Sequence, residues 1–434
     1  MKRKILTLSV VFLSILSLKA QETKPITLSL DSAVNYAIKH NKTLINSRYA
    51  VDKSSQKIKE TIAAGLPHIN VSADYNNFLG AEASLQLNPM APPAVIAFNP
   101  TSSFKVGASQ LIFSGNFIVG VQLSKLAKQI TEKNYCKDEL NVKEQTIQAY
   151  YMVLINQQIL KIIKENKENA ETIYTKTQNM ANAGLTEQTE AKKLSVMVTS
   201  VNNTYKAAER RLELAYNLLR LQLGLEPDQA ITLSSDINDI EQKTILQSSI
   251  VSDTFNIKNN IDYQLISLQG DITQKQIQMQ KANYLPTLTA FYSHTEKILK
   301  PDFDMTPKNV LGVTLNVPVF SSGERRAKVN QAVIDYDISK NTKGLVNQQL
   351  TMAEIQLMYN YKNLSEQYAN QKTNVVIAKE VLDQMNLKFR QGIISSLELT
   401  SANNDYLKAQ SDKISTLLNL LNADLALKKL NNNL

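Results

Sequence analysis

The stretch AAGLPHINVSADYNN at 63–77 recurs in altered form as KANYLPTLTAFYSHT at 281–295, and this repetition decides the fold. Two further echoes follow in the same order. LIFSGNF at 111–117 answers to PVFSSGE at 318–324, and MANAGLTEQTE at 180–190 answers to KFRQGIISSLE at 388–398. Pro67 and Pro286 are 219 positions apart, Gly184 and Gly392 are 208 apart, and a longer loop in the first copy accounts for the difference. A unit of this length is too long for a solenoid repeat, so the chain reads as one unit duplicated.

Period-two alternation follows each Leu-Pro pair. Ile69, Val71, Ala73 and Tyr75 alternate with Asn70, Ser72, Asp74 and Asn76, and Phe104, Val106 and Ala108 alternate with Lys105, Gly107 and Ser109. In the second copy Leu311, Val313, Leu315 and Val317 alternate with Gly312, Thr314 and Asn316, while Pro286 to His294 alternates less cleanly. Strands with one apolar face over about ten residues suit a membrane β-barrel. No amphipathic layer remains in the sequence to cover such a sheet in water. Residues 79–103 read as a Pro-rich loop without helical or strand period, with 295–309 as the shorter counterpart.

After each strand pair comes a long proline-free stretch. No proline lies between 101 and 226 or between 319 and 434, so nothing breaks a helix there. The spacing predicts long helices over about 116–182 and 324–391, each roughly 100 Å if continuous. Gly184 and Gly392 supply the stops, and return helices follow over about 186–223 and 394–431. Ser395 and Glu398 have capping-box spacing, and Thr186 is the corresponding candidate cap in the first copy. Leu357, Tyr361, Leu364, Tyr368, Gln371, Val375, Ala378, Leu382, Met385 and Phe389 follow steps of four and three, a heptad seam. A soluble coiled-coil rod explains that seam equally well; the strands are what it leaves over. Shorter helices are expected over 29–64 and 260–283, and the polar stretch 225–260 reads as a mixed region wrapping the middle of the helices.

The chain opens with Lys2, Arg3 and Lys4, then an apolar run from Ile5 to Leu18, with Ala20 as the cleavage residue. This is a secretory signal pattern over 1–20, shorter than the ~20 residues of a spanning helix. The domain reading is therefore signal 1–20, first repeat 21–224, connecting region 225–260 and second repeat 261–434. Net charge is +9, falling to +5 without Lys2, Arg3, Lys4 and Lys19. No basic run interleaved with aromatics indicates a nucleic-acid partner. Cys136 is alone and forms no intramolecular disulfide. His40, His68 and His294 lack ligand spacing, and no phosphate loop or nucleophile motif appears, so neither metal nor cofactor nor enzymatic activity is expected.

Four strands cannot close a barrel, and an open edge in lipid leaves backbone groups unpaired. The chain is therefore expected to oligomerise, two copies giving eight strands and three giving twelve.

Taken in order, these motifs resemble the TolC-type outer-membrane efflux protein family. The opening LSLDSAVNYAIKHN at 28–41, the Leu-Pro pairs, the F-S-G and F-S-S-G turns and the two glycine tips carry the resemblance across the whole chain after the signal. It implies a mainly α mixed fold: a homotrimer with a twelve-stranded β-barrel in outer-membrane lipid and an α-helical barrel reaching into the periplasm. The implied function is the exit duct of a tripartite efflux or type I secretion system. Its partners are then a periplasmic adaptor (membrane fusion) protein and an inner-membrane transporter. Gly184, Leu185, Gly392 and Ile393 become the docking tips, and Asp383, with Glu380 one turn away, the gate candidates. The competing class is a secreted or periplasmic coiled-coil structural protein or adaptor.

Overall fold

The computed structural model describes residues 25–86, 93–247, 255–301, 304 and 306–434. The segment read as a signal, 1–20, lies outside the described residues. Among the described residues no helix is long and apolar enough to cross a membrane.

In chain order the elements begin with β1 (Ile26–Leu28), α1 (Leu30–His40) and α2 (Lys42–Ala63). Strands β2 (His68–Asn76), β3 (Glu82–Leu85), β4 (Ala94–Ala97) and β5 (Thr101–Ser114) follow, then helices α3 (Gly115–Asn182) and α4 (Gln188–Leu223). The connecting region supplies β6 (Ile231–Leu233), α5 (Ile237–Gln247) and a 3-10 turn at Ile257–Asn259. The second half is α6 (Ile261–Ala282), β7 (Thr287–Leu299), β8 (Asn309–Asn316), α7 (Glu324–Arg390) and α8 (Ser396–Leu430).

Two compact units form, and each draws on both halves of the sequence. One takes the described residues up to Asn46, those within Lys137–Asn260, and Leu350–Leu434; the other takes the described residues within Ser47–Cys136 and Ile261–Gln349.

The second unit holds an antiparallel sheet of order β2-β5-β7-β8. Its register sorts side chains by face, because directly opposed residues point the same way. Ile69 opposes Ala108, which opposes Tyr292, which opposes Leu311. Val71, Val106, Ala290 and Val313 fall on that same apolar face. The other face carries Asn70, Ser72, Lys105, Gly107, Ser293 and Thr314. All nine residues of β2 are exposed, as are seven of the eight in β8, so among the described residues no second layer covers either edge strand. Within the stretch 79–103, read as lacking strand period, β3 and β4 pair as a separate antiparallel hairpin. Four-residue strands are too short for alternation to register in sequence. Strand β7 also runs on to Leu299, into what was read as loop.

In the first unit the seam is realised side by side. Tyr361, Tyr368 and Leu382 are buried and the other seven predicted seam positions of α7 are half-buried, while most of the residues between them are exposed. A core of Leu382, Leu399 and Ala402 joins α7 to α8, with Ile173 of α3 packed against it. Near the other end of this unit, β1 pairs in parallel with β6, and the Tyr150 hydroxyl donates to the Leu28 carbonyl at 3.0 Å.

The single helix expected over 29–64 is two. Asn41 takes an extended conformation between α1 and α2 and donates its own N–H to the Ala37 carbonyl at 2.8 Å. Its Oδ1 accepts from the Thr43 N–H at 2.9 Å, and its Nδ2 donates to the Gln222 carbonyl at 2.8 Å. One amide thus caps a helix and ties it to the end of α4, offering the backbone an alternative to continuing as a helix. Gly224, left-handed at φ 70°, makes room for this corner. A Cβ there would sit 2.4 Å from the His40 carbonyl oxygen.

Asn41→Ala removes that cap and tie, at a cost of about 1 kcal/mol. The expected outcome is amide hydrogen exchange several-fold faster at residues 38–45; unchanged protection there would refute the capping role.

Candidate functional site: the paired helical tips and the sheet edges

The tips are set by backbone geometry. Helix α3 ends at Asn182, and Gly184 takes φ 76° while its N–H donates to the Ala181 carbonyl at 3.1 Å. The Leu185 N–H reaches back to the Met180 carbonyl at 2.8 Å. The second tip repeats this: Gly392 takes φ 71° and bonds Phe389 at 3.0 Å, and Ile393 bonds Lys388 at 3.0 Å. Both are Schellman closures. A Cβ at either glycine would meet nothing within 4 Å, so the dihedral angle, not space, demands glycine.

In such closures the residue after the glycine commonly packs back on the helix. Here Leu185 is 72% exposed and Ile393 64% exposed. Ile394 does the packing instead, against the Leu382–Leu399–Ala402 core. Leu397, in the first turn of α8, is also exposed, so apolar side chains crown both turns.

The return helices start differently. Ser395 and Glu398 form the full capping box: the Glu398 carboxylate accepts the Ser395 N–H at 2.8 Å, and the Ser395 hydroxyl accepts the Glu398 N–H at 3.3 Å. Thr186 does not cap the first copy. Helix α4 begins after Glu187, which stands three residues past its glycine as Ser395 does but makes no side-chain cap. The first tip is fastened to the second instead: the Ser396 hydroxyl donates to the Glu190 carboxylate, which also holds Lys193 at 2.7 Å. These contacts lower both acids. Lys193 first, then Ser396, holds the Glu190 carboxyl below its usual range, and the Ser395 N–H and hydroxyl do the same for Glu398.

Sequence reasoning missed the Glu190–Ser396 tie. The partners are 206 residues apart, and only the equivalence of the two tips hints at it. The gate candidates lie about three turns before the second tip. Asp383 and Glu380 are exposed on α7, and Asp383 is paired with Lys379, whose ammonium lies 5.8 Å from the Tyr406 ring centre. Thr172 and Thr175, at the equivalent positions of the first copy, turn their hydroxyls back to the Glu168 and Glu171 carbonyls. Among the described residues no group of three or more His, Cys, Asp or Glu is placed to hold a metal. His40 stacks on Tyr36, and His294 pairs with Asn309.

At the sheet edges, β2 and β8 each have a partner on one side only among the described residues. The comparisons agree with that architecture. Residues 33–225 and 257–433 match the family described as "Outer membrane efflux protein". The chain belongs to this family. Its two matched segments cover the two halves of the duplicated unit. It is a mainly helical, coiled-coil-rich member of a family of outer-membrane channel proteins, and it resides in the outer membrane. The outer membrane protein TolC of Salmonella enteritidis is 22% identical over 396 residues, covering 88% of this chain and 78% of that protein. Among solved structures, CusC has a TM-score of 0.73 at 14% identity, covering 96% of this chain and 95% of its own. The CmeC outer membrane channel of Campylobacter jejuni has a TM-score of 0.70 at 16% identity, covering 93% and 85%.

The lowered carboxyls at the tips set a pH response. A depressed folded pKa gives stability that is complete above the ordinary carboxylate value near ~4.3 and lost as pH falls through the folded value. Hydrogen-exchange protection over 187–200 and 395–402, corrected for intrinsic rate, should be flat from pH 8 to 5 and fall below pH ~4. Glu190→Gln with Glu398→Gln should give low protection at every pH. Wild-type protection that survives unchanged to pH 3 would remove these acids as fasteners.

Proposed function

We propose that the chain is the outer-membrane exit duct of a tripartite efflux or secretion assembly and works as a homotrimer. The carrying observation is the four-stranded sheet with one apolar face and two uncovered, unpartnered edges. In lipid those edge groups each cost several kcal/mol unless paired, and four strands cannot close on themselves. Edge β2 of one copy pairing with β8 of the next completes a barrel. Three copies give twelve strands, the arrangement that membership of the family favours over two. The apolar face, with Ile69, Val71 and Val313, then meets lipid, and the face with Asn70, Ser72 and Lys105 lines the passage. A periplasmic rod or adaptor would have no use for such a sheet.

The long helices carry the passage into the periplasm as an α-barrel, and the tips meet a periplasmic adaptor that links the duct to an inner-membrane transporter. Exposed Leu185 and Ile393, each beside a rigid glycine turn, supply apolar anchors for that contact. Asp383 and Glu380 set the charge near the periplasmic opening, and Lys379 offsets part of it.

The test combines export and conductance. Leu185→Asp with Ile393→Asp should leave the amount of protein in the outer membrane unchanged and abolish export of a fluorescent efflux dye, since losing an interface anchor costs roughly 2 kcal/mol or more. Gly392→Pro, which cannot hold φ 71°, should act alike. Normal export in both would exclude tip docking. In bilayer recordings of the purified protein, Asp383→Ala with Glu380→Ala should weaken cation selectivity and Lys379→Ala strengthen it. Unchanged selectivity in all three would make these ordinary solvated positions.

A further inference from the structure

The helices of the second unit stand in the same order as its strands. Helix α2 meets α3, where the Arg48 Nε donates to the Tyr135 hydroxyl at 3.5 Å. Helix α3 meets α6, where Lys133 donates to the Gln264 side chain at 2.8 Å and Lys275 to that of Gln122 at 3.0 Å. Helix α6 meets α7, where the Lys343 ammonium lies 5.0 Å from the Tyr263 ring centre. The row α2-α3-α6-α7 thus repeats the sheet order β2-β5-β7-β8, since each helix adjoins its strand in the chain. Helices α2 and α7 stand at the two ends of the row, as β2 and β8 do in the sheet.

Exposure separates the two flanks of α7. Ala332 and Ser339 are buried, with Tyr336 and Lys343 half-buried between and beyond them; this flank faces α6. Ile334, Ile338 and Leu345 are 58%, 57% and 51% exposed. At 100° per residue they form a second stripe roughly 150° round the helix from the first. Large apolar residues in steps of four and seven are what one helix offers to another. On α2 the flank toward α3 holds Arg48, Val51, Ser55 and Ile58, all half-buried. Its opposite flank holds Tyr49, 67% exposed, among Lys53, Gln56 and Glu60.

What covers the α7 stripe follows from where the helix starts. Helix α2 leads into β2, and β8 leads into α7, at the same end of the sheet. The inference rests on the barrel closure proposed above, which sets β8 beside β2 of the next copy. That closure brings α7 beside the α2 of that copy, running antiparallel to it. Tyr49 lies 14 residues before Ala63, the end of α2 (63 − 49), and Ile338 lies 14 residues after Glu324, the start of α7 (338 − 324). Both therefore sit ~21 Å along their helices from the sheet end.

We propose that the exposed stripe of α7 is an interface for a second copy of this chain, with Tyr49 of the partner subunit seated against Ile334 and Ile338. A tyrosine among polar residues suits that place, because its ring packs while its hydroxyl stays in water. The contact joins copies through side chains, beyond the sheet whose edges join them through backbone.

Cysteines are placed at Tyr49 and Ile338 in a Cys136→Ser background, and outer membranes are treated with a short bismaleimide. This pair should give two- and three-chain products. Tyr49→Cys with Lys340→Cys, near the same level but turned from the stripe, should not. A sheet-edge pair, Val71→Cys with Val313→Cys, is oxidised in parallel. Substitution gives a second reading on the purified protein. Ile338→Lys should make the trimer dissociate on dilution in detergent about tenfold more readily, and adding Tyr49→Glu should restore it, with circular dichroism unchanged in both. If Ile338→Lys misfolds, the cysteine pairs still decide. Sheet-edge links without helix links overturn the α7 interface and leave the duct reading standing; absence of both overturns the two together. Linking through Lys340 as strong as through Ile338, or dissociation that neither substitution changes, also overturns the interface.

Discussion

Backbone hydrogen bonding at the edges of one small sheet governs the rest of this molecule. Strands β2 and β8 each present a row of N–H and C=O groups to one side with no strand paired there among the described residues. In water such edges are a hazard that proteins blunt with charge, bulges or a covering layer. None of these devices is evident on β2, whose nine residues carry only Asp74 as a charge and are exposed on both faces. On the function proposed here, the neighbouring copy pairs that edge. The apolar face, running through Ile69, Ala108, Tyr292 and Leu311, suits lipid as the surroundings of that proposed pairing.

The helices answer a different constraint. Each long helix contributes residues to both compact units, so neither unit is assembled from one half of the duplication alone. The seam on α7 recurs every three or four residues because only that spacing keeps one stripe against a neighbouring helix over such a length. The reversal at each tip needs a left-handed residue, and glycine supplies it without steric cost. What differs between the tips is how the return helix is started. One uses its own capping box; the other relies on a hydroxyl from its counterpart. The duplication has therefore diverged into a pair that is fastened together, with Glu190 and Ser396 as the fastener.

Much of this was legible in sequence wherever a period or a stop signal is local. The ten seam positions, both glycine stops and the Ser395–Glu398 box depend on residues within a few turns of one another, and each is realised in the structure. The alternation that placed four strands is equally local. Features requiring long-range partners were not legible. The three-residue strand β1 exists because β6, some 200 positions on, accepts it in parallel. The break at Asn41 depends on the Gln222 carbonyl as much as on the asparagine itself. The hairpin of β3 and β4 is too short to show a period. At the candidate site, the tip residues proposed for docking were legible from the glycine turns together with the family resemblance. The tie between the tips did not, because hydroxyl and carboxylate meet only after both hairpins have folded. Nor did sequence reveal that Asp383 is partnered by Lys379, since i,i+4 charges on an exposed face are common to any solvated helix.

The central claim is that copies of this chain close one another's sheet edges. It is tested most directly by cross-linking those edges and counting the copies joined. Cysteines are placed on β2 at Val71 and on β8 at Val313, in a Cys136→Ser background, and the protein is oxidised in outer membranes and weighed after solubilisation. The account predicts a ladder of one, two and three chains that ends at three, with neither single substitution alone giving the three-chain species. A ladder ending at two, a ladder without end, or a protein that stays monomeric with its sheet folded would contradict it.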